Sequence, residues 1–284
     1  MNKKIICLGI VALLSCYTSK AQEVGIFFTP YFSKAIHTNK NMTEKSDGGL
    51  NVGLSYGQYL NKNFSIQIEP SYSQYNTVNG IDSFKGSLET FDRDNDAFIL
   101  RYKGHGVSEK ISQKQLHIPL MLQYETAGTS VRFFVKSGIA YGLQIENAKV
   151  YTKLQGLTTS GYYPEYDVEL FEPNFVGFGN FDGTSQNNEI ELKNRWSWVA
   201  EIGVKQRYNE KHSLYLGMFF DVGLNDMIKE RETLNTTFID YDREQKDPLL
   251  INSSFQSGAE KMTFKNFNIG IKLKYTLNFK KAKL

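Results

Sequence analysis

Charged residues stand at alternate positions in several segments of this 284-residue sequence. Lys272 and Lys274 alternate with apolar residues near the end of the chain. Because successive side chains of a β-strand point to opposite faces, such charges share one face of a strand. Acids and bases that are shielded from water on such a face must pair to be tolerated. The residues that we expect to form this network are Glu69, Arg132, Lys136, Glu201, Lys205, Asp221, Lys272 and Lys274.

Three further polar residues, His117, Glu146 and Arg207, fall on the same predicted face. We interpret the whole set as a structural network of ion pairs. A pathway for small ions is the alternative interpretation.

The histidines give a poor basis for catalysis. Ser108 lies near His105, and His37, His117 and His212 are far apart in the sequence. No third residue that would orient a histidine as a base can be identified, and a nucleophile activated by a base needs one. We therefore predict no catalytic residues.

The segment from Asp92 to Asp96 (DRDND) resembles the start of a calcium-binding loop. Such a loop has Gly at position 6 and Glu at position 12, where this chain has Ala97 and Lys103. We predict a solvated acidic loop, with no metal and no cofactor.

The segment that carries Lys272 and Lys274 alternates without a break from Phe267 to Phe279. It is longer than the usual soluble strand of about 5–6 residues. An apolar face opposite a polar one over this length is typical of a transmembrane β-barrel strand.

Seven earlier segments show the same alternation, and most reach the roughly 9–11 residues that a tilted strand needs to cross a bilayer. They are Val24–Phe32, Gly49–Leu60, Phe64–Tyr75, Gln115–Tyr124, Val131–Glu146, Arg195–Tyr208 and Leu214–Leu224.

The connections between these segments alternate between short and long. The long ones cover residues 33–48, 76–114, 147–194 and 225–263. Short periplasmic turns and long outer loops are typical of outer-membrane barrels. The predicted fold is all-β, a closed antiparallel up-and-down transmembrane barrel of eight strands with long outer loops. Ala97–Tyr102 and Val107–Ile111 could form a hairpin around Gly104-His105-Gly106, which we interpret as an extension above the membrane. A count of ten strands is the alternative.

The first residues predict export. Lys3 and Lys4 precede the apolar segment Ile5–Leu14, and Ser19-Lys20-Ala21 offers a cleavage site before Gln22. A lipoprotein signal ending at Cys16 is the alternative. We predict a signal peptide at 1–21 and one barrel domain at 22–284.

Removal of that signal changes the composition of the chain. Both cysteines, Cys7 and Cys16, would be lost, which excludes disulfides and thiolate chemistry. Three lysines would leave with them, so the net charge of +3 does not indicate a nucleic-acid partner.

Two segments resemble a known family. The run from Gln115 to Tyr124 (QLHIPLMLQY) and the hairpin from Leu54 to Gln74 are similar to the eight-stranded outer-membrane β-barrels of Bacteroidetes-type bacteria, the PorT-like or "porin family" proteins. The resemblance implies the fold and an outer-membrane location. It implies little about activity, and His117 stands where the family often has Glu.

The last strand also resembles the signal that the barrel-insertion machinery reads. Asn268, Gly270, Leu273 and Tyr275 fit its spacing, and Phe279 supplies a late aromatic. The tail from Lys280 to Leu284 departs from it. The expected partners are this machinery, outer-membrane lipid and lipopolysaccharide, and an unknown extracellular or envelope protein, with no nucleic acid. We expect a monomer.

Aromatic residues in the connection 147–194 are the best candidates for recognition. They include Tyr162, Tyr163, Tyr166 and Phe171. The alternative is that these rings pack on one another and cap the barrel. Trp196 and Trp198 follow, and we interpret them as part of an interfacial girdle.

We therefore predict a non-enzymatic outer-membrane barrel with a plugged lumen and a structural or surface-recognition role. A PorT-like component of a secretion or envelope-assembly system is the first alternative. An outer-membrane enzyme that modifies lipids is the second.

Overall fold

The computed structural model describes residues 22–36, 42–229, 237–254 and 263–279. The predicted signal peptide, His37 and the tail 280–284 lie outside these residues. The strands are β1 (Gln22–Ile36), β2 (Met42–Tyr59), β3 (Phe64–Ile68), β4 (Ser71–Phe91), β5 (Ala97–Glu125), β6 (Val131–Gln144), β7 (Ala148–Lys153), β8 (Gly156–Tyr163), β9 (Val168–Leu170), β10 (Gly179–Asp182), β11 (Ser185–Ile190), β12 (Arg195–Arg207), β13 (His212–Gly223), β14 (Ile239–Tyr241), β15 (Leu249–Ile251) and β16 (Lys265–Asn278). A 3-10 turn covers Asn174–Val176. Among the described residues, no helix is long and apolar enough to cross a membrane.

The long strands pair with their neighbours in antiparallel fashion. β1 pairs with β16 on one side and with β2 on the other. β2 pairs with β3 and β4, and both of these pair with β5. β5 pairs with β6, β6 with β12, β12 with β13, and β13 with β16. The series of pairings thus returns to β1.

All eight predicted strand segments form strands. The segment Phe64–Tyr75 is interrupted, because β3 ends at Ile68 and β4 begins at Ser71. Pro70 lies in this break and has no N–H to give to a ladder. Its carbonyl accepts a hydrogen bond from the Leu54 N–H at 3.0 Å, so the pairing with β2 continues past the break.

The predicted hairpin within residues 97–111 is wrong. Residues Ala97 to Glu125 form one strand, β5, which pairs along its upper part with β4. The chain reverses between Phe91 and Ala97 instead. Gly106 has a φ of +66°, and there the buried positions of β5 change from even to odd numbers. A glycine adopts this conformation without steric cost, so the strand changes sides there and continues.

Side chains alternate between a buried and an exposed face along the long strands. In β1 the exposed residues include Ile26 and Phe32, which are 62% and 66% exposed. Glu23, Thr29 and Ser33 are buried on the other face. On β1 the exposed face is therefore apolar, whereas the buried face mixes polar residues with Phe27 and Tyr31.

Beyond one end of this apolar surface the pattern is reversed, because polar side chains are exposed there and apolar ones are buried. We call residues 76–114, 148–190 and 237–254 the protrusion. Arg101 and Lys103 are exposed there. The buried apolar residues of the protrusion are Phe98, Leu100, Tyr102, Val107, Leu154, Leu157, Phe178, Ile239 and Ile251. The protrusion thus has the apolar core and polar surface of a water-soluble protein.

A second apolar cluster lies at the boundary between the two parts. Its members come from β1, β5, β7, β11 and the segments near β12 and β16, and they are Ala35, Ile111, Ala148, Val150, Ile190, Leu192, Met227 and Phe264.

Candidate functional site

Five charged residues meet on the buried face near mid-strand. We call Glu69, Lys136, Glu201, Lys272 and Lys274 the central cluster. Glu69 accepts from Lys136 at 3.1 Å, from Lys272 at 2.5 Å and from Lys274 at 3.1 Å. Glu201 accepts from Lys136 at 3.0 Å and from Lys272 at 3.1 Å.

The central cluster joins paired strands as well as strands that are distant in the order of pairing. Lys136 on β6 and Glu201 on β12 are direct cross-strand partners. Both remaining lysines are on β16, and Glu69 lies in the break between β3 and β4. All five side chains are at most 2% exposed. Removal of one partner from such a pair leaves a buried charge uncompensated. The cluster therefore links segments that do not pair with each other.

A second cluster lies nearer the short turns. The Lys205 ammonium contacts Glu23 and lies 3.2 Å from Glu125. It also lies 2.6 Å from the Tyr59 hydroxyl. Tyr215 donates to Glu23 at 2.5 Å. These contacts connect β1, β2, β5, β12 and β13.

A third cluster lies nearer the protrusion. Arg195 donates to both carboxylate oxygens of Asp221, at 2.8 and 2.7 Å. The Asn268 amide and the Tyr75 hydroxyl also donate to Asp221, at 3.2 and 3.4 Å. The two-point geometry of guanidinium and carboxylate fixes both side chains in orientation as well as in distance.

The structure brings together all eight residues of the predicted network within these three clusters. Arg132 is the most exposed of the eight, and its guanidinium lies 3.3 Å from Glu125. Glu146 is placed incorrectly by the sequence pattern. Its side chain is 41% exposed and pairs with Lys114 at 2.9 Å, because β6 already ends at Gln144. Arg207, at the end of β12, is half-buried.

Sequence reasoning missed three charged members of the clusters, which are Glu23, Glu125 and Arg195. Glu125 directly follows the exposed Tyr124, so continued alternation would have put it on the buried face. Arg195 directly precedes the exposed Trp196 in the same way. Both stand at strand ends, where a charged residue is easily taken for part of a turn.

The histidines do not form a catalytic arrangement in the described part of the chain. His117 is buried, with its Nε2 3.8 Å from Asp221, which is beyond hydrogen-bond distance. His105 and Ser108 are both exposed on β5. His212 contacts the Tyr275 hydroxyl at 2.5 Å near a short turn.

The acidic segment forms the turn between β4 and β5. Asp92 accepts from the backbone N–H groups of Asp94 and Asp96, at 3.0 and 2.9 Å. The carbonyls of Arg243 and Gln245 accept from the Arg93 side chain. Within the described ranges, no group of His, Cys, Asp or Glu is arranged to hold a metal ion.

Two of the four candidate recognition residues are engaged within the protrusion. Tyr163 stacks on Phe98 at 5.4 Å and donates to Asp92 at 3.0 Å. Burial and the neighbouring carboxylate of Asp92 raise the pKa of this phenol well above its usual value. Tyr162 donates to Asp167 at 2.9 Å and lies 4.5 Å below the Arg101 guanidinium.

The other two candidates are open to solvent. Tyr166 is 57% exposed and Phe171 is 61% exposed, and the nearby Phe175 is 67% exposed. The packing interpretation therefore applies to part of the segment, and the recognition role of its exposed residues stays a prediction. Tyr163 packs into the core of the protrusion, whereas Tyr166 and Phe171 stay available for contact.

An open groove of about 630 Å³ lies on the surface of the protrusion. It is lined by Lys85, Gly86, Ser87, Arg101, Tyr102, Lys103, Thr158, Thr159, Ser160, Glu169 and Phe171. These residues come from β4, β5, β8, β9 and the segment after β9. Three of them are basic and one is acidic.

Trp196 and Trp198 are exposed at the outer end of the apolar surface. The Trp196 ring packs on Tyr141, with 4.6 Å between the ring centres. The Trp198 indole donates to Ser137 at 3.1 Å. Amphipathic rings in this position suit the boundary between lipid and water.

Comparison with known proteins identifies a family. The model of a family described as "Outer membrane protein beta-barrel domain" matches residues 21–229. The match is to this general family, and the PorT-like and Bacteroidetes-type character of the sequence stays a prediction. No curated protein matches the chain.

Several solved structures are similar at low sequence identity. Neisserial surface protein A is 8% identical, with a TM-score of 0.36, over 88% of this chain and 95% of that one. Ail of Yersinia pestis, in complex with the heparin analogue sucrose octasulfate, is 10% identical, with a TM-score of 0.33, over 91% and 99%. The N-terminal β-barrel domain of Pseudomonas aeruginosa OprF is 11% identical, with a TM-score of 0.31, over 92% and 98%.

Proposed function

Since this chain belongs to the outer membrane protein beta-barrel domain family, we propose that it is a non-enzymatic surface-recognition protein. Eight strand segments close into a transmembrane barrel through the pairing of β1 with β16. They are β1, β2, β3 with β4, β5, β6, β12, β13 and β16. The protrusion carries the recognition surface outside the cell.

The reversal of polarity along β5 is the observation that carries this proposal. Leu116, Leu120 and Leu122 are exposed in one part of the strand, and Arg101 and Lys103 in the other. An exposed apolar belt suits lipid. A polar surface over an apolar core suits water, so the same strand leaves the membrane and continues as a folded outer domain.

The buried clusters support a closed lumen instead of a pore. Eight strands leave an interior just wide enough for side chains to fill. The fully buried side chains here include the large Arg195, Tyr75, Tyr215, Phe134, Lys136, Lys272 and Lys274. The four cations among them are held in ion pairs, which supports a structural role.

The remaining parts of the proposal concern assembly. The chain is exported by a cleaved signal at 1–21, and β16 is read by the insertion machinery. It works as a monomer in contact with lipid and lipopolysaccharide.

Two measurements test this function. The mature protein should fractionate with outer membranes, and unheated samples in SDS should migrate differently from boiled ones, because a closed barrel resists unfolding. Reconstituted into planar bilayers, it should give no stable large conductance. Recovery as a soluble periplasmic protein would refute the barrel, and a steady porin-sized conductance would refute the filled lumen.

A further inference from the structure

We propose that the groove on the protrusion binds an anionic saccharide, that is, a sulfated, phosphorylated or carboxylated sugar chain. This deepens the recognition role proposed above and rests on it. Two lysines on neighbouring strands face the groove together. Lys85 of β4 and Lys103 of β5 are direct cross-strand partners, and both are exposed on the same face.

Like charges directly opposite each other destabilise a sheet. Neither Lys85 nor Lys103 forms an ion pair with any residue that the structure describes. Arg101, the third cation of the groove, is already held by Glu169 at 2.9 Å. The groove therefore carries three cations against one carboxylate, and an anionic ligand would relieve the repulsion between the two lysines.

Residues with hydroxyl groups lie beside the basic residues of the groove on the neighbouring strands. Lys103 pairs with Thr158 on β8, and Arg101 pairs with Ser87 on one side and Ser160 on the other. The Phe171 ring, 61% exposed, lines the same groove. A few polar groups beside an aromatic surface are what a small-molecule site offers, here in proportions that suit a sugar with anionic substituents.

The backbone of the groove argues against an extended peptide as the ligand. Its floor is β5, which is paired with β4 on one side and with β8 on the other. A peptide that adds a strand needs an unpaired edge. A ligand on this floor can therefore be bound only by side chains, because β5 has no free edge to which an acidic peptide could add a strand.

The position of the groove excludes the phosphates at the membrane surface. Lys103 is 13 positions from Leu116, the first exposed apolar residue of the belt on β5. At about 3.3 Å per residue this is about 40 Å along the strand, several times the screening length of about 8–10 Å in physiological salt. The ligand is thus either a sugar chain that extends far from the cell's own surface or a polysaccharide from outside.

The test uses the full mature protein, refolded in detergent, and calorimetric titration with a fully sulfated heparin hexasaccharide. The same oligosaccharide without sulfate and a purified lipopolysaccharide with a long sugar chain are titrated in parallel. We expect the sulfated probe to bind and the neutral one not to. Binding of the lipopolysaccharide as well would identify the cell's own glycan as the source, and its absence would identify an external polysaccharide.

Variants assign the binding to the groove. Lys85→Gln with Lys103→Gln should lower the affinity by about tenfold or more, because two charge-assisted contacts are lost. Lys149→Gln with Lys153→Gln removes the same charge from exposed positions on β7 and should leave the affinity unchanged. Phe171→Ala should weaken binding without changing its dependence on salt.

Three results would overturn the proposal. They are no binding of the sulfated probe, equal losses in the two double variants, and competition by a poly-glutamate peptide at equal affinity. The migration of each sample in SDS before and after boiling is recorded separately. If unheated and boiled samples migrate differently but the protein does not bind, only the saccharide site is refuted. If they migrate alike, the barrel is refuted.

Discussion

The membrane part and the protrusion can be compared along a single strand. In the lower part of β5, Leu120 is 53% exposed and Gln123 is fully buried. In the upper part, Leu100 is fully buried and Arg101 is exposed. The membrane part buries the three charged clusters, whereas the protrusion buries mainly hydrocarbon. The surrounding solvent therefore decides which face of an alternating strand turns inward.

The two parts also differ in what one substitution should do. In the membrane part the interior depends on paired charges and the exterior on being apolar. In the protrusion the interior depends on packing, and the exterior tolerates charge. Four substitutions test this difference, and their expected costs fall from the first to the last.

Glu69→Gln should have the largest effect. It leaves Lys136, Lys272 and Lys274 with Glu201 as their remaining carboxylate in the central cluster, and loss of one partner from a buried pair costs about 3–5 kcal/mol. Urea unfolding of the purified barrel measures the change. Glu146→Gln removes an exposed partner of Lys114 and serves as the control. Equal effects at both positions would contradict the buried network.

Leu100→Ala should lower the stability of the protrusion by about 2–5 kcal/mol, because it opens a cavity in a packed core. The barrel itself should stay folded, so unheated and boiled samples should still migrate differently in SDS. Limited proteolysis should then cut the variant within the protrusion first. Simultaneous loss of this difference in migration would mean that the two parts do not have separate cores.

Ile271→Arg should cost about 2–4 kcal/mol, since it places a charge near the middle of the lipid-facing belt. Ile271 is 59% exposed, so no core packing is lost. The matched substitution Ser108→Arg, at an exposed position of the protrusion, should stay within about 0.5 kcal/mol. Folding yield into lipid vesicles measures both. A harmless arginine at position 271 would contradict the lipid-facing assignment.

Glu109 should give the protrusion a modest dependence on pH. It is buried and accepts hydrogen bonds from Thr152 at 3.2 Å and from Ser254, with burial raising the pKa of its carboxyl above the usual value. A raised pKa in the folded state means that the folded state holds the proton more tightly. Its contribution to stability is therefore complete below the unfolded pKa and is lost as the pH rises through the folded pKa.

Hydrogen exchange of the segment around β15 measures this dependence. Protection should decrease as the pH rises from about 4 toward neutral, once intrinsic exchange rates are taken into account. Glu109→Gln, which stays neutral and keeps a similar shape, should abolish the trend. A trend that persists in this variant would assign it to another group.

Much of the membrane part was predictable because alternation is a local property. Each of Ile269, Ile271 and Leu273 implies the face of its neighbours, whatever the rest of the chain does. The predictions failed where alternation changes sides or ends. Gly106 switches the buried face of β5, and the sequence pattern on either side of it looks like two short strands. Glu146 lies just past the end of β6, so its odd or even position in the alternation no longer indicates which face it occupies.

The long alternating strands, their two faces and the group of charges that share the polar face were thus predictable from the sequence. Which charges pair depends on the tertiary structure, because Glu69 and Lys272 are 203 residues apart in the chain and meet only in the folded protein. The same holds for the groove, where the juxtaposition of Lys85 and Lys103 depends on the register of β4 with β5. Faces follow from the geometry of one strand, whereas partners follow from how the strands are arranged around one another.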